Sequence, residues 1–182
     1  MTERKAVLLL LALVCGGAAS MAPGQRIDVP DWEGSVRFEL LASQNAVRPG
    51  DNLEAAVVAE IEPGYHLYGP EERKPSRTEV MVMGDLVGSQ APVFPPVVRR
   101  DLSGLGEFDL YEGRIGIRIP ITVREDAAGR AEVPVEVRVN YQVCTDHACS
   151  APTHRVLSLR LPVAKEGATI ESRHEDIFVS TK

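Results

Sequence analysis

A chain of 182 residues has room for one domain with a proper core and little room for a second. Its net charge of -6, without any cluster of Lys or Arg, argues against a nucleic-acid partner, because phosphate contacts need a concentrated basic face. Aromatic residues supply only 5% of the chain, yet an apolar share of 44% rich in Val, Ile and Leu can still build a β-branched core.

Residues 1–20, MTERKAVLLLLALVCGGAAS, have the order of a secretory signal: basic Arg4 and Lys5, an apolar run from Ala6 to Val14, then Ala18-Ala19-Ser20 for cleavage. The apolar run is well short of the ~20 residues that cross a bilayer. Cys15 raises lipid attachment as a rival fate, but Val14 stands where such signals want a small residue, so cleavage and export are the expectation. Residues 21–34 form a lead-in. From about residue 35 apolar and polar residues alternate with the period of half-buried strands. Val36, Phe38 and Leu40 begin the series, and Leu53 to Ile61 repeat it. Short candidates follow at His66 to Tyr68 and Val80 to Met83. The stretch from Gly69 to Gly113 reads mostly as a long Pro- and Gly-rich irregular connection, and long loops of that kind are often functional.

Ile115, Ile117, Ile119, Ile121 and Val123 give the clearest alternation. Val133 to Val143 reads as one long strand, and Leu157, Leu159, Leu161 and Val163 as the last. Turns such as Arg48-Pro49-Gly50-Asp51, Glu62-Pro63-Gly64 and Asp126 to Gly129 separate the runs, and no helical period of ten residues is present. About seven or more strands with such turns predict a single all-β domain, an antiparallel immunoglobulin-like β-sandwich, over 35–163. Pro120 and Pro134 fall inside strands and belong at an edge or bulge, since proline cannot donate to a ladder. The polar run 164–182 reads as a flexible tail.

The stretch VNYQVCTDHACSAPTH, residues 139–154, holds Cys144 and Cys149, which in an exported chain can persist as a disulfide. Three readings are open. A structural staple is geometrically easy, but closing so small a ring contributes only about 2 kcal/mol, against ~4.7 for a loop of a hundred residues. A zinc site would recruit His147 and His154, yet His147 lies inside the cysteine pair, which is poor spacing for two ligand halves. A redox pair needs an accessible sulfur and a neighbour that adjusts its thiolate fraction, and the short loop with Asp146 and His147 leaves that possible without proving it. Trp32 reads as a packing residue, and Gly104-Leu105-Gly106 as a loop without the following helix that a phosphate cradle requires.

Tyr141-Gln142, Cys144, Asp146, Cys149 and Pro152 resemble the YQ-x-C-x-D stretch, second cysteine and proline of the DsbD N-terminal periplasmic domain family. GYHLYGP, Gly64 to Pro70, is similar to that family's GY-x-LY stretch, and Phe94 to Ile121 to its proline-rich lead, cap region and Y-x-G strand. The resemblance keeps family order from about Asp31 to Val163. It implies an immunoglobulin-like sandwich with thiol-disulfide oxidoreductase activity, in which Cys144 and Cys149 are the catalytic redox pair and no cofactor or metal is needed. The donor it implies is a membrane thiol reductant, a conductor of the DsbD or CcdA kind; the acceptors are oxidised periplasmic thioredoxin-like or disulfide-isomerase proteins. Since the sequence stops at Lys182, the expectation is that the donor is a separate protein or that the domain works differently. Residues expected near the pair are Tyr65, Tyr68, Leu105, Phe108, Tyr141, Gln142, Asp146 and Pro152, with Tyr65 and Tyr68 as an aromatic wall and His66 pointing elsewhere. The cap carries only Leu105 and Phe108 where the family places aromatics over the disulfide. The competing expectation is a noncatalytic protein-binding sandwich whose disulfide braces a hairpin.

Overall fold

The structure is a computed structural model that describes residues 31–178 except 74 and 103–105. The expected signal segment, Cys15 and Leu105 therefore lie outside the described residues. Eleven strands are found among the described residues: β1 Val36–Ala42, β2 Asn52–Ile61, β3 His66–Tyr68, β4 Glu79–Met83, β5 Val87–Ser89, β6 Val98–Asp101, β7 Glu107–Tyr111, β8 Arg114–Val123, β9 Glu132–Tyr141, β10 Val143–Cys144 and β11 Thr153–Pro162. All their pairings are antiparallel. Among the described residues one short α-helix, α1, covers Glu175–Phe178, and a single 3-10 turn covers Glu125–Ala127.

The strands form three sheets, ordered β1-β2-β8-β5, β11-β9-β4 and β10-β3-β7-β6. Alternation decides which residues go inside. In β9, Val133, Val135, Val137 and Val139 are fully buried while Glu132, Pro134 and Glu136 face out. In β2 and β8 the register sets Val57 opposite Ile117 and Ala55 opposite Ile119, all without exposure. These side chains, those of β9, and Leu67, Tyr111 and Val143 from the third sheet belong to one apolar cluster. The result is an antiparallel, immunoglobulin-like sandwich with the third sheet continuing its core.

Several expectations need correction. The run Val133 to Val143 is not one strand: it breaks at Gln142, so β9 pairs with β11 and β4 whereas β10 pairs with β3 in another sheet. A chain that changes sheet turns a corner in this way. The presumed irregular middle contains β5, β6 and β7; sequences such as VRRD and EFDLY lack the alternation that marks a half-buried strand. Pro120 and Pro134 lie on interior strands, but where one neighbour has ended. The β5 pairing stops at Ser89 opposite Ile121, and the β4 pairing stops at Met83 opposite Glu136, so neither proline interrupts a three-strand ladder.

The segment after β11, expected to be free, is tied down as far as it is described. Ala164 N–H donates to the Val47 carbonyl at 2.8 Å, Arg173 N–H to the Ser43 carbonyl at 2.9 Å, and Asn45 and Glu171 exchange backbone and side-chain hydrogen bonds. This attachment is made by backbone groups finding partners, which needs no hydrophobic period.

Candidate redox site

Cys144 and Cys149 are joined as a disulfide with their Cα atoms 4.0 Å apart. They form an isolated antiparallel bridge, and the hydrogen bonds on either side of it run from Thr145 N–H to the Ala148 carbonyl and from Ser150 N–H to the Val143 carbonyl, both 2.8 Å. That is the pattern of a non-hydrogen-bonded cross-strand pair, the position at which two strands approach most closely. The connecting turn is held locally, since the Thr145 hydroxyl oxygen accepts from His147 N–H at 3.3 Å and Ala148 N–H at 3.2 Å. Behind it the Gln142 side-chain amide donates to the Ser150 carbonyl at 2.7 Å, and Val143 N–H donates to the Ser150 hydroxyl at 3.2 Å. Gln142 thus fixes both the sheet change and the return strand of the cysteine hairpin.

The two cysteines differ in access. Cys144 has no solvent exposure, whereas Cys149 is exposed. On the far side of Cys144 the register sets His66 of β3 directly opposite. Residues directly opposite one another share a sheet face, so Cys149, Cys144 and His66 project together, and Tyr68, two residues from His66, joins them. The Tyr68 hydroxyl lies 3.9 Å from Cys149 Sγ, and its ring packs at 5.6 Å between centroids against Phe108. Burial, with Glu72 nearby, pushes the Tyr68 phenol above its ordinary range. A groove of about 450 Å³ lined by Tyr68, Glu72, Arg73, Ser76, Glu107 and Phe108 opens beside this aromatic pair.

A charged clasp closes the other side. The Arg100 guanidinium donates to both Asp146 carboxylate oxygens at 3.1 Å and also pairs with Glu112. It therefore ties the cysteine turn to β6 and to the end of β7. The same sheet relies on one close approach: Gly69 N–H donates to the Asp109 carbonyl at 2.7 Å, and a Cβ on Gly69 would stand 3.0 Å from that oxygen. His66 is 1% exposed and its Nε2 has no hydrogen-bond partner. Burial holds its imidazole below the ordinary histidine value; Asp146 opposes that shift, Arg100 reinforces it and Glu112 opposes it.

Of the residues expected near the pair, Tyr68, Phe108, Gln142 and Asp146 are brought to it. Tyr65 is not: it lies in the turn just before β3 and packs edge-on to Trp32 at 6.1 Å. Tyr141 packs inside against Phe38 at 4.7 Å. Pro152 lines a separate shallow groove with Pro75, Glu79, Arg138, Asn140, Thr153 and His154. His66, expected to point elsewhere, instead faces the disulfide, and the two-residue period of His66 and Tyr68 carried that signal. Arg100 and Glu112 had no local signal, because only the pairing of β6, β7 and β3 brings them to Asp146. Among the described residues no group of three or more His, Cys, Asp or Glu side chains could hold a metal ion.

The family described as "Thiol:disulfide interchange protein DsbD, N-terminal" matches residues 37–161. No curated protein matches the sequence. Among solved structures, the DsbD N-terminal domain of Neisseria meningitidis in the reduced form is similar at 17% identity and a TM-score of 0.46, with 81% of this chain and 97% of that one covered. The N-terminal periplasmic domain of ScsB from Proteus mirabilis is similar at 12% identity and a TM-score of 0.49, covering 72% of this chain and 48% of that one. A complex between the DsbD N-terminal and PilB N-terminal domains from Neisseria meningitidis is similar at 16% and 0.41, covering 81% and 93%. With the family match spanning most of its length and a disulfide inside the matched region, this chain belongs to the DsbD N-terminal domain family of thiol:disulfide interchange proteins.

Proposed function

We propose that this domain is a periplasmic thiol-disulfide exchange module that receives two electrons from a membrane thiol reductant and passes them to oxidised thioredoxin-like or disulfide-isomerase proteins. The observation that carries the reading is the asymmetry of the pair, one cysteine exposed and the other buried behind it in a ring of six residues. In the reduced state the Cys149 thiolate attacks a partner's disulfide, forming a Cys149–partner bond and expelling the partner's second sulfur as thiolate. Cys144 then attacks Cys149 Sγ, the internal disulfide closes, and the electron pair of the broken bond leaves on the partner's sulfur. Two cysteines of this domain are oxidised and one partner disulfide is reduced. Recharging runs the same steps backwards, with a donor thiolate attacking Cys149.

Cys149 is the point of attack because a partner can reach it, and Tyr68 and Phe108 limit that approach to one side. A Cys144→Ser variant, which leaves only the exposed thiol, tests this directly. Mixed with a purified oxidised thioredoxin-like protein it should accumulate a covalent adduct through Cys149. A noncatalytic sandwich with a bracing disulfide would form no adduct, and that result would replace this reading.

A further inference from the structure

His66 has no role in the exchange steps as written, although its position is unusual for a histidine. It is buried, it is the cross-strand partner of the buried cysteine, and its Nε2 is without a hydrogen-bond partner. A buried polar atom left unpaired costs stability, roughly 1–3 kcal/mol, so an unpaired one on the cross-strand partner of a reacting cysteine calls for an explanation. Cys144 supplies one. A thiolate formed at a sulfur with no exposure has no water to take its proton or to solvate it, yet Cys144 must become a thiolate to close the disulfide.

Resting on the exchange function proposed above, we infer that His66 is the proton acceptor and donor for Cys144. Before closure, the Cys144 S–H gives its proton to His66 Nε2, making an imidazolium and a thiolate. The thiolate attacks Cys149 Sγ, the Cys149–partner bond breaks with its electron pair leaving on the partner's sulfur, and the imidazolium releases its proton to that thiolate or to solvent, so that charge and electrons balance and His66 is neutral again. During recharging, the donor's thiol gives up its proton as it attacks Cys149, Cys144 leaves as thiolate, and His66 relays a proton to it.

The other ionisable groups facing this position do not fit the task. Arg100 from β6 stays protonated and cannot accept a proton. Asp146 from the cysteine turn and Glu112 beyond β7 are both engaged by Arg100. The Tyr68 hydroxyl lies against Cys149, and its phenol is pushed upward. Burial keeps His66 in the neutral form that can accept a proton, with Asp146 and Glu112 placed to favour the imidazolium once it forms.

The test is rapid-mixing kinetics of the reduced full chain with one equivalent of an aromatic disulfide, 5,5′-dithiobis(2-nitrobenzoate). Its first released chromophore reports attack by Cys149, and its second reports closure by Cys144. In His66→Phe and His66→Gln the first phase should stay within about twofold, while the second slows on the order of a hundredfold at neutral pH, the usual size of a general-base contribution. The wild-type second phase should also lose rate as the imidazole protonates, a limb the variants lack. A second phase unchanged in both variants overturns the inference, while absence of both phases in the wild type overturns the exchange function and this inference with it. If neither variant folds, the wild-type His66 ring titration by NMR decides: its midpoint must differ between oxidised and reduced protein, and identical midpoints overturn the inference.

Discussion

Reducing the disulfide should leave the domain folded. Cys144 and Cys149 are five residues apart in sequence, so the closed ring spans about six residues, and the loop-entropy relation gives about 2 kcal/mol for it. The hairpin also keeps supports that do not depend on the bond: two 2.8 Å backbone hydrogen bonds across it, the Gln142 bond to the Ser150 carbonyl, and the Arg100 clasp on Asp146. β10 stays paired with β3, and Val143 remains in the core. A loss of ~2 kcal/mol in a domain of this size lowers the melting temperature by roughly 4–8 °C. Urea unfolding of oxidised and reduced protein, followed by far-UV circular dichroism, measures the difference at equilibrium. A cooperative reduced-state transition displaced by about that amount agrees with the reasoning. Loss of cooperative unfolding on reduction would refute it, because the disulfide would then be a staple on which the fold depends and a domain that unfolds when charged cannot shuttle electrons.

Other consequences can be measured on the same protein. Ile117→Ala, at a fully buried site in the centre of β8, should cost roughly 2–5 kcal/mol by urea denaturation, the range for removing a large core side chain. Tyr68→Ala removes the side chain whose hydroxyl lies 3.9 Å from Cys149 Sγ and should speed reduction of the disulfide by a small thiol, read by alkylation and mass spectrometry, with little change in the unfolding midpoint. His66 is held below the ordinary 6.5, so the unfolded chain protonates there first. The stability this histidine contributes is full above that value and declines as the pH falls from it through the folded-state value. Comparing urea midpoints of wild type and His66→Phe across mildly acidic pH should show the slope only in the wild type.

The parts of the fold that were legible in the sequence are those where one face is dry and the other wet. Val133 to Val139 and Ile115 to Val123 alternate because their strands are half-buried, and the structure puts each where the period requires. β6 and β7 were missed because neither VRRD, on the edge of its sheet, nor EFDLY, buried only at Leu110 and Tyr111, shows alternating burial. The break at Gln142 was missed because Tyr141 and Val143 are both buried, each in a different sheet, so the apolar period runs straight through the corner. At the site, the cysteines and Asp146 stand together in one short loop, while Gln142 was expected only through the resemblance of its stretch to the family. Tyr65 was misassigned because it lies in the turn before β3, whereas the period of two would have paired His66 with Tyr68. Arg100 reaches Asp146 across 46 positions of chain and Glu112 across 12, and only the order β10-β3-β7-β6 brings the three together.

The central claim is that Cys144 and Cys149 form a couple that exchanges electrons with protein thiols. An equilibrium redox titration tests it most directly: the folded protein is incubated with a reduced thioredoxin-like protein at graded reduced-to-oxidised ratios, quenched in acid, alkylated and weighed. The account predicts a single reversible two-electron transition in which both cysteines take up label together. A disulfide that remains closed against excess reduced thioredoxin-like protein, while the same bond opens only on unfolding, would contradict it.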